Sequence, residues 1–540
     1  MELFRTATIL MSVAAPSATA TFAQYPDTYV LGKGVLRVSF EPWYINAKQR
    51  FDAGGTIEPL GTDLTRDSAG VNFFPSLEPA ERAVQSITGD ETFRINAGIF
   101  QTKQEADVRR FPFNFRLGLS NRLTLSASIP VVTTRSQVSF AVDEGSSSVG
   151  LNQVVDGAAL QTVLALLSEL EASASSLESM IAGNAFDCPS GPQCNSARDL
   201  VTRARALRAD LMLLTGILGD GSLSPHLPPF APLGISASGQ AILAAIQSLS
   251  TELQSFGSPS ITSTLPLPDA TVGSEDVNAV LTESLYGYEA AWPLDFIKRK
   301  EKLGDLEVGL RWGVAQGSSF RAVLSTTVRL PTGVRDQPDN FIDIGTGDKQ
   351  TDVQFGLEAA VEPGSVVSLA VSGYYNLQLP DKLPRRLAPH TQPIQLAIYQ
   401  LGVSRNLGDA FRVGAFPAIR LAQGFTTYGS IDYFRKGGDK YSLLDPYPTA
   451  DGTGPTVEDL EFETGAELLS VGGGIHYRST GRSGTSLPVE AGIRYHAAFS
   501  GSGGQALKTR GVNFYLRLYF WLFGKPEAPE PEAPPSPPGQ

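Results

Sequence analysis

Much of the chain alternates. In Leu306-Glu307-Val308-Gly309-Leu310-Arg311-Trp312 the apolar residues take every second position. Phe320–Leu330 repeats this, with Phe320, Ala322, Leu324, Val328 and Leu330 on one face and Arg321, Ser325 and Arg329 on the other. The period returns at Val353–Val361, Val367–Leu379, Phe411–Leu421, Leu469–Tyr477, Leu487–Phe499 and Val512–Leu522, and earlier at Leu36–Tyr44, Phe111–Leu119 and Leu123–Val131. A weaker stretch, Ile394–Val403, changes phase midway. Period two predicts strands with one apolar and one polar face.

Between about 150 and 256 the period changes to three and four. Leu160, Val163, Leu167, Leu170, Ala174, Leu177 and Ile181 form one seam; Leu200, Ala204, Leu207, Leu211, Leu214 and Leu218 form a second; Ile242, Ile246, Leu249 and Leu253 form a third. These are amphipathic helices with narrow, coiled-coil-like seams, and Ser196 with Asp199 reads as a capping box for the second. Cys188 and Cys194 flank two prolines and a glycine. That suits a disulfide-closed turn between antiparallel helices; the spacing excludes a redox CxxC, and a zinc site lacks further ligands.

The two ends differ again. Residues 1–23 have Arg5 in a short polar start, an apolar stretch from Ala7 to Ala15, and Ala18-Thr19-Ala20 or Ala23 as cleavage sites, the form of a secretory signal peptide. The stretch 524–540 is Pro-rich and reads as a disordered tail. The organisation expected is therefore signal peptide 1–23, first strands 24–140, helical insertion 141–302, remaining strands 303–523 and tail 524–540.

Two-faced strands suit a soluble sandwich or a membrane barrel. Aromatic residues lie at or near strand ends (Trp43, Tyr44, Phe111, Trp312, Tyr374, Tyr375, Tyr495, Phe514, Tyr519, Trp521), as in interfacial girdles. The connections also interleave. Ser120–Arg122, Ala315–Ser319, Glu362–Ser365, Asn406–Ala410 and Arg478–Ser486 are short; about 53–105, 141–302, 332–350, 380–391, 425–462 and 500–509 are long. Short turns on one rim and long loops on the other are the habit of outer-membrane barrels. The expectation is an all-β transmembrane barrel of about twelve antiparallel strands with a large α-helical insertion in an outer loop, in the bacterial outer membrane, with both termini periplasmic. Closure is forced, because a lipid-exposed sheet edge leaves backbone groups unpaired.

Composition narrows the function. A net charge of -12 argues against nucleic-acid binding, and two Cys with four His leave little for a multi-ligand metal site. No cofactor is expected. One choice of phase per strand turns Arg37, Arg116, Arg311, Arg321, Arg329, Arg412, Arg420, Arg478, Arg494 and Arg517, with Glu41, Glu307, Glu358 and Glu490, toward the interior. This is the candidate pore lining: an excess of positive charge that attracts anions.

Phe111–Val132, Leu303-Gly304-Asp305-Leu306 opening one strand, Leu330-Pro331-Thr332-Gly333 closing the next, and Gly345-Thr346-Gly347 before Asp352 resemble the outer-membrane barrels of the MetA-pathway phenol-degradation family, itself distantly similar to long-chain fatty-acid channels. The resemblance implies passage of small, hydrophobic molecules and supplies no catalytic residue; the helical insertion departs from the family's usual pattern.

The reading that follows is a channel or transporter for small solutes, anionic or hydrophobic, through a narrow Arg-lined lumen. Expected partners are outer-membrane lipid, the barrel assembly machinery, and an extracellular partner for the insertion. One alternative is a filled barrel that displays the insertion for binding or adhesion. Another is an outer-membrane lipid hydrolase, disfavoured because His476 and His496 have no serine beside them on the same face, and His226 and His390 lie in loops. Asp336, Asp339, Asp343, Asp348 and Asp352 crowd one loop, read as solvated rather than Ca²⁺-binding, since the EF-hand spacing is absent.

Overall fold

The computed structural model describes residues 25–524, except 190, 341–342, 447–453, 480–486 and 505. The expected signal peptide and, apart from Gly524, the Pro-rich tail lie outside the described residues.

The alternating segments close into a barrel. In chain order its strands are β1 (Val35–Phe40), β2 (Trp43–Phe51), β3 (Ile99–Gly118), β4 (Leu123–Asp143), β5 (Phe296–Leu303), β6 (Leu306–Gln316), β7 (Phe320–Leu330), β8 (Asp352–Val361) and β9 (Val367–Gln378). After an excursion come β10 (Ala410–Ala422), β11 (Phe425–Lys436), β12 (Ala466–Arg478), β13 (Glu490–Ser502) and β14 (Ala506–Trp521). β1 and β2 are one stave interrupted at Glu41-Pro42, since both pair with β3 and β14. Pro42 has no N–H for the ladder; its carbonyl accepts instead from the Phe514 backbone at 3.1 Å and the Asn513 side chain at 3.0 Å. β5 rides on the upper part of β4, above β6. Each remaining strand pairs antiparallel with its neighbours, so twelve staves form a closed transmembrane barrel.

The count of twelve is right, with one exchange. Ile394–Val403 is not a stave: Gln400–Asn406 belongs to a separate three-stranded sheet with Asp381–Arg386 and Lys440–Leu443. Its place is taken by β11, in a stretch expected to be loop. The turn between β10 and β11 is then Gln423-Gly424, with Gly424 at φ 84°, and the short-long interleaving holds up to β12; the connection expected to be long at 500–509 is only 503–505, because β13 and β14 extend into it.

The outer wall is apolar. Leu310, Trp312, Leu324, Leu357, Val371, Ile431, Ile493 and Phe514 all stand exposed on it. Four of the expected girdle aromatics face inward instead. Trp43 is 1% exposed, Tyr374 donates to Glu358, Tyr519 meets Arg37 at 3.4 Å, and Trp521 shares the inward parity of Arg517 and Tyr519. Parity explains this: Trp43 and Tyr44, or Tyr374 and Tyr375, are neighbours and cannot share a face of one strand. No described helix is long and apolar enough to cross a membrane.

The long-loop rim carries a cap. Its helices α1 (Glu78–Thr88), α2 (Gly157–Ala182), α3 (Pro192–Thr215) and α4 (Ala237–Ser255) bury the predicted seams, Leu167, Leu170, Leu177, Leu200, Leu211, Ile242 and Leu253 among them. Leu218 falls beyond α3 and is 44% exposed. The expected capping box lies inside α3, which starts earlier, at Pro192 after Gly191; proline fits that first position, where an N–H would have no partner. Cys188 and Cys194 are joined as a disulfide at the α2–α3 turn. The cap's core is continuous with the barrel rim: Phe73, Phe74, Phe100, Val138 and Phe140 belong to the same buried cluster as the helix seams.

Candidate functional site

The lumen is built by parity. Along each stave every second side chain points in, and the inward set carries most of the charge. Burying a charge is tolerated only with a partner, and the partners are present. Arg311 bonds Glu358 at 2.5 Å. Arg329 bonds Asp352 at 2.5 Å and lies 3.7 Å from Glu307, which also accepts from Arg110 at 2.8 Å. Arg517 sits between Glu41 at 3.1 Å and Glu490 at 3.3 Å. Arg494 is buried over the Trp43 ring, 4.9 Å from its centroid. Arg478 lies near the terminal rim, 3.5 Å from Glu490. Arg420 is at the same rim, half exposed and 4.0 Å from Glu362.

Arg37, Arg116 and Arg321 are held by a segment that the pattern of the sequence did not reveal. Tyr25–Leu31 runs inside the lumen near the terminal rim. Asp27 bonds Arg37 at 2.5 Å and Arg116 at 2.6 Å, and its backbone carbonyl accepts from Arg311 at 2.5 Å. Thr28 accepts from Arg321 at 3.2 Å, while Arg321 also pairs with Glu362. Tyr29 receives Arg321 and Arg478 on its ring at 4.2 and 4.7 Å. Tyr25 packs against Tyr428, with ring centroids 4.7 Å apart, and against Phe416 and His476. The Leu31 N–H donates to Thr124 at 3.1 Å. This strap fills the lower lumen.

The upper mouth is filled by the described residues of the 331–351 loop. Ile344 packs with Ala47, Leu60 and Ala106, and its carbonyl accepts from Thr134 at 2.9 Å. The aspartates of this loop are mostly buried and ion-paired rather than solvated, Asp339 alone remaining about two-fifths exposed. Asp336 bonds Arg385 at 2.5 Å, Asp339 bonds Arg386 at 2.8 Å, and Asp343 bonds Lys300 at 2.7 Å. The short motifs quoted above meet here. Asp305 accepts from the Gly333 N–H at 2.7 Å, and Thr332 donates to the Gly304 carbonyl at 2.9 Å. A Cβ on Gly347 would lie 2.3 Å from the Asp305 carboxylate, so any side chain there would push that carboxylate out of its place.

Between strap and loop a cavity of about 200 Å³ remains, bordered by Arg110, Arg116, Arg311, Arg329 and Arg412. At roughly 30 Å³ each, only a handful of waters fit. Arg412 lies over the Phe434 ring at 5.2 Å and makes no ion pair among the described residues. His476 meets the Tyr515 hydroxyl at 2.5 Å, and His496 is fully buried beside Trp43. Both are packed into the lumen wall. Beyond the expected lining, Asp27, Asp352, Glu362 and the buried Asp432 supply acid that reduces the positive excess.

No family model matches the chain, and no curated protein matches it. Solved outer-membrane barrels are similar at low identity. An outer membrane channel from Pseudomonas putida F1 is 7% identical, with 92% of this chain and 100% of that one covered and a TM-score of 0.41. A Pseudomonas aeruginosa FadL homologue is 8% identical, with coverages of 96% and 98% and a TM-score of 0.28. The Ralstonia pickettii toluene transporter TbuX is 9% identical, with coverages of 94% and 92% and a TM-score of 0.28.

Proposed function

We propose that the chain is a bacterial outer-membrane channel for small anionic solutes, held shut by the strap and the mouth loop. The observation that carries this is the cavity between those two closures. Its border is polar, with five arginines against Glu41, Glu307 and Glu358, and Arg412 faces it with the charge of Asp432 acting on it but no direct ion pair among the described residues. A polar border of this kind favours an anion over a hydrophobic molecule. Export through residues 1–23, short turns and both termini in the periplasm, and the cap outside form one consistent arrangement. The resemblance to the phenol-degradation family belongs to this reading, supported by its short motifs converging at Asp305. Transport is the reading we follow because His476 and His496 are packed against the rings of Tyr515 and Trp43 in the lumen wall.

Conductance in a planar bilayer under a KCl gradient tests it. The folded full chain opens rarely. Asp27→Ala loosens the strap and raises open time several-fold, with anions preferred, and Arg412→Glu shifts the preference toward cations. Silence from folded Asp27→Ala protein, or a preference for cations in it, ends this reading. A filled barrel displaying its cap is the second reading, favoured by apolar side chains on the cap's surface: Ile235, 81% exposed, with Leu213 and Leu218.

A further inference from the structure

The outward face of the loop rim carries a second, separate charge pattern. Above the apolar wall the outward positions of five adjacent strands turn basic, two residues up on β3 and β14 and four residues up on β2, β4 and β5. Arg299 on β5 stands directly across from Arg135 on β4. Arg109 on β3 stands across from Tyr44 and Thr133. Arg510 on β14 stands across from Asn46 on β2. Lys48, Lys103 and Lys508 share this parity. Glu105, Asp107 and Glu301 are the acids on the same face.

Two of those acids are already engaged. Asp107 bonds Arg135 at 2.9 Å, Glu105 bonds Lys48 at 3.1 Å, and Asn46 donates to both. Arg109, Arg299 and Arg510 are exposed and make no ion pair among the described residues. Below them the wall becomes hydrocarbon-like: Phe111 lies two residues from Arg109, Val512 two from Arg510, and Leu303, 50% exposed, four from Arg299, with the exposed Glu301 between. Two residues of strand span roughly 7 Å, about the step from acyl chain to headgroup. The pattern is confined to one side. On β11, Arg435 sits two residues above Tyr433 but is paired with Glu467 at 3.3 Å.

We propose that this side of the rim binds the phosphate groups of an outer-leaflet saccharolipid, gripped by Arg109, Arg299 and Arg510, with its acyl chains lying on the apolar wall below. The charges are complementary in a protein of net -12. Guanidinium forks suit phosphate better than they suit zwitterionic headgroups, and the apolar strip directly beneath selects a lipid over a soluble anion. The proposal rests on the reading that the cap rim faces outside.

The test uses the full chain in detergent, titrated with bisphosphorylated lipid A and with its dephosphorylated form, and read by native mass spectrometry. The bisphosphorylated lipid should bind with a salt-dependent affinity. The Arg109→Gln/Arg299→Gln/Arg510→Gln variant, shown to be folded by its heat-modifiable gel migration, should lose roughly tenfold or more, and Arg435→Gln should lose nothing. Equal binding of the two lipids, unchanged affinity in the triple variant, or full displacement by inorganic phosphate at the lipid's own concentration overturns the proposal. Orientation is read separately. Protease added to intact cells should cut the insertion; if the insertion survives, the outside assignment fails whatever the lipid result.

Discussion

The wall and the cap solve opposite problems with one chain. In the cap, α2, α3 and α4 bury leucine seams and leave ion pairs such as Arg203–Glu252, at 2.7 Å, in water. In the wall, the leucines and phenylalanines stand outside, and pairs such as Arg311–Glu358 are inside. The difference lies in the surroundings, not in the residue types. An apolar seam gains by leaving water. An apolar wall needs hydrocarbon around it, and a charged interior then needs its own counterions because water is scarce there. An arginine in the wall is therefore a structural commitment, while one on the cap is close to optional.

The largest test of that contrast is Arg517→Ala. It leaves Glu41 and Glu490 buried without their main partner and should cost about 3–5 kcal/mol, read as a lower urea midpoint for the refolded barrel in vesicles. A midpoint within error of the parent would mean that lumen charges behave like surface ones. Next, Leu170→Ala opens a hole in the cap's seam and should cost about 2–5 kcal/mol. Hydrogen exchange should rise in α2, α3 and α4, with the barrel's gel migration unchanged. Rapid exchange spreading into the staves would show instead that cap and wall fold as one unit. The smallest effect belongs to Arg203→Ala on the cap surface, about 0.5 kcal/mol and shrinking further in salt; a cost comparable to that of Arg517→Ala would erase the contrast.

What was legible in the sequence follows from period. Eleven staves announce themselves because one face of each meets lipid over the segment that alternates. β11 did not, because Tyr428 and Phe434 face inward while Thr427 and Gly429 face out, which blurs the alternation. Tyr428 is inward because it packs on Tyr25, a contact no local pattern encodes. Ile394–Val403 misled for the converse reason: Ile394 and Val403 are buried at opposite ends of the stretch, in two different parts of the cap. Inward charge was readable as a list, but its pairing was not. Asp27 lies in an aperiodic stretch, and Asp352 and Glu362 lie at strand ends, where alternation gives out. The arginines alone therefore suggested a freer positive lumen than the one that folds.

The pairing of Val35 with Trp521 has a kinetic meaning. The hoop closes only when its last stave meets its first, so β1 has no β14 to pair with until every other stave has been made. Contacts so distant in sequence form slowly, since the entropy of closing the loop is lost before they repay it. The strap leads directly into β1, and Asp27 grips Arg37 on that same strand. Stave and strap therefore arrive together, and the step that completes the barrel also seats the strap in its lumen.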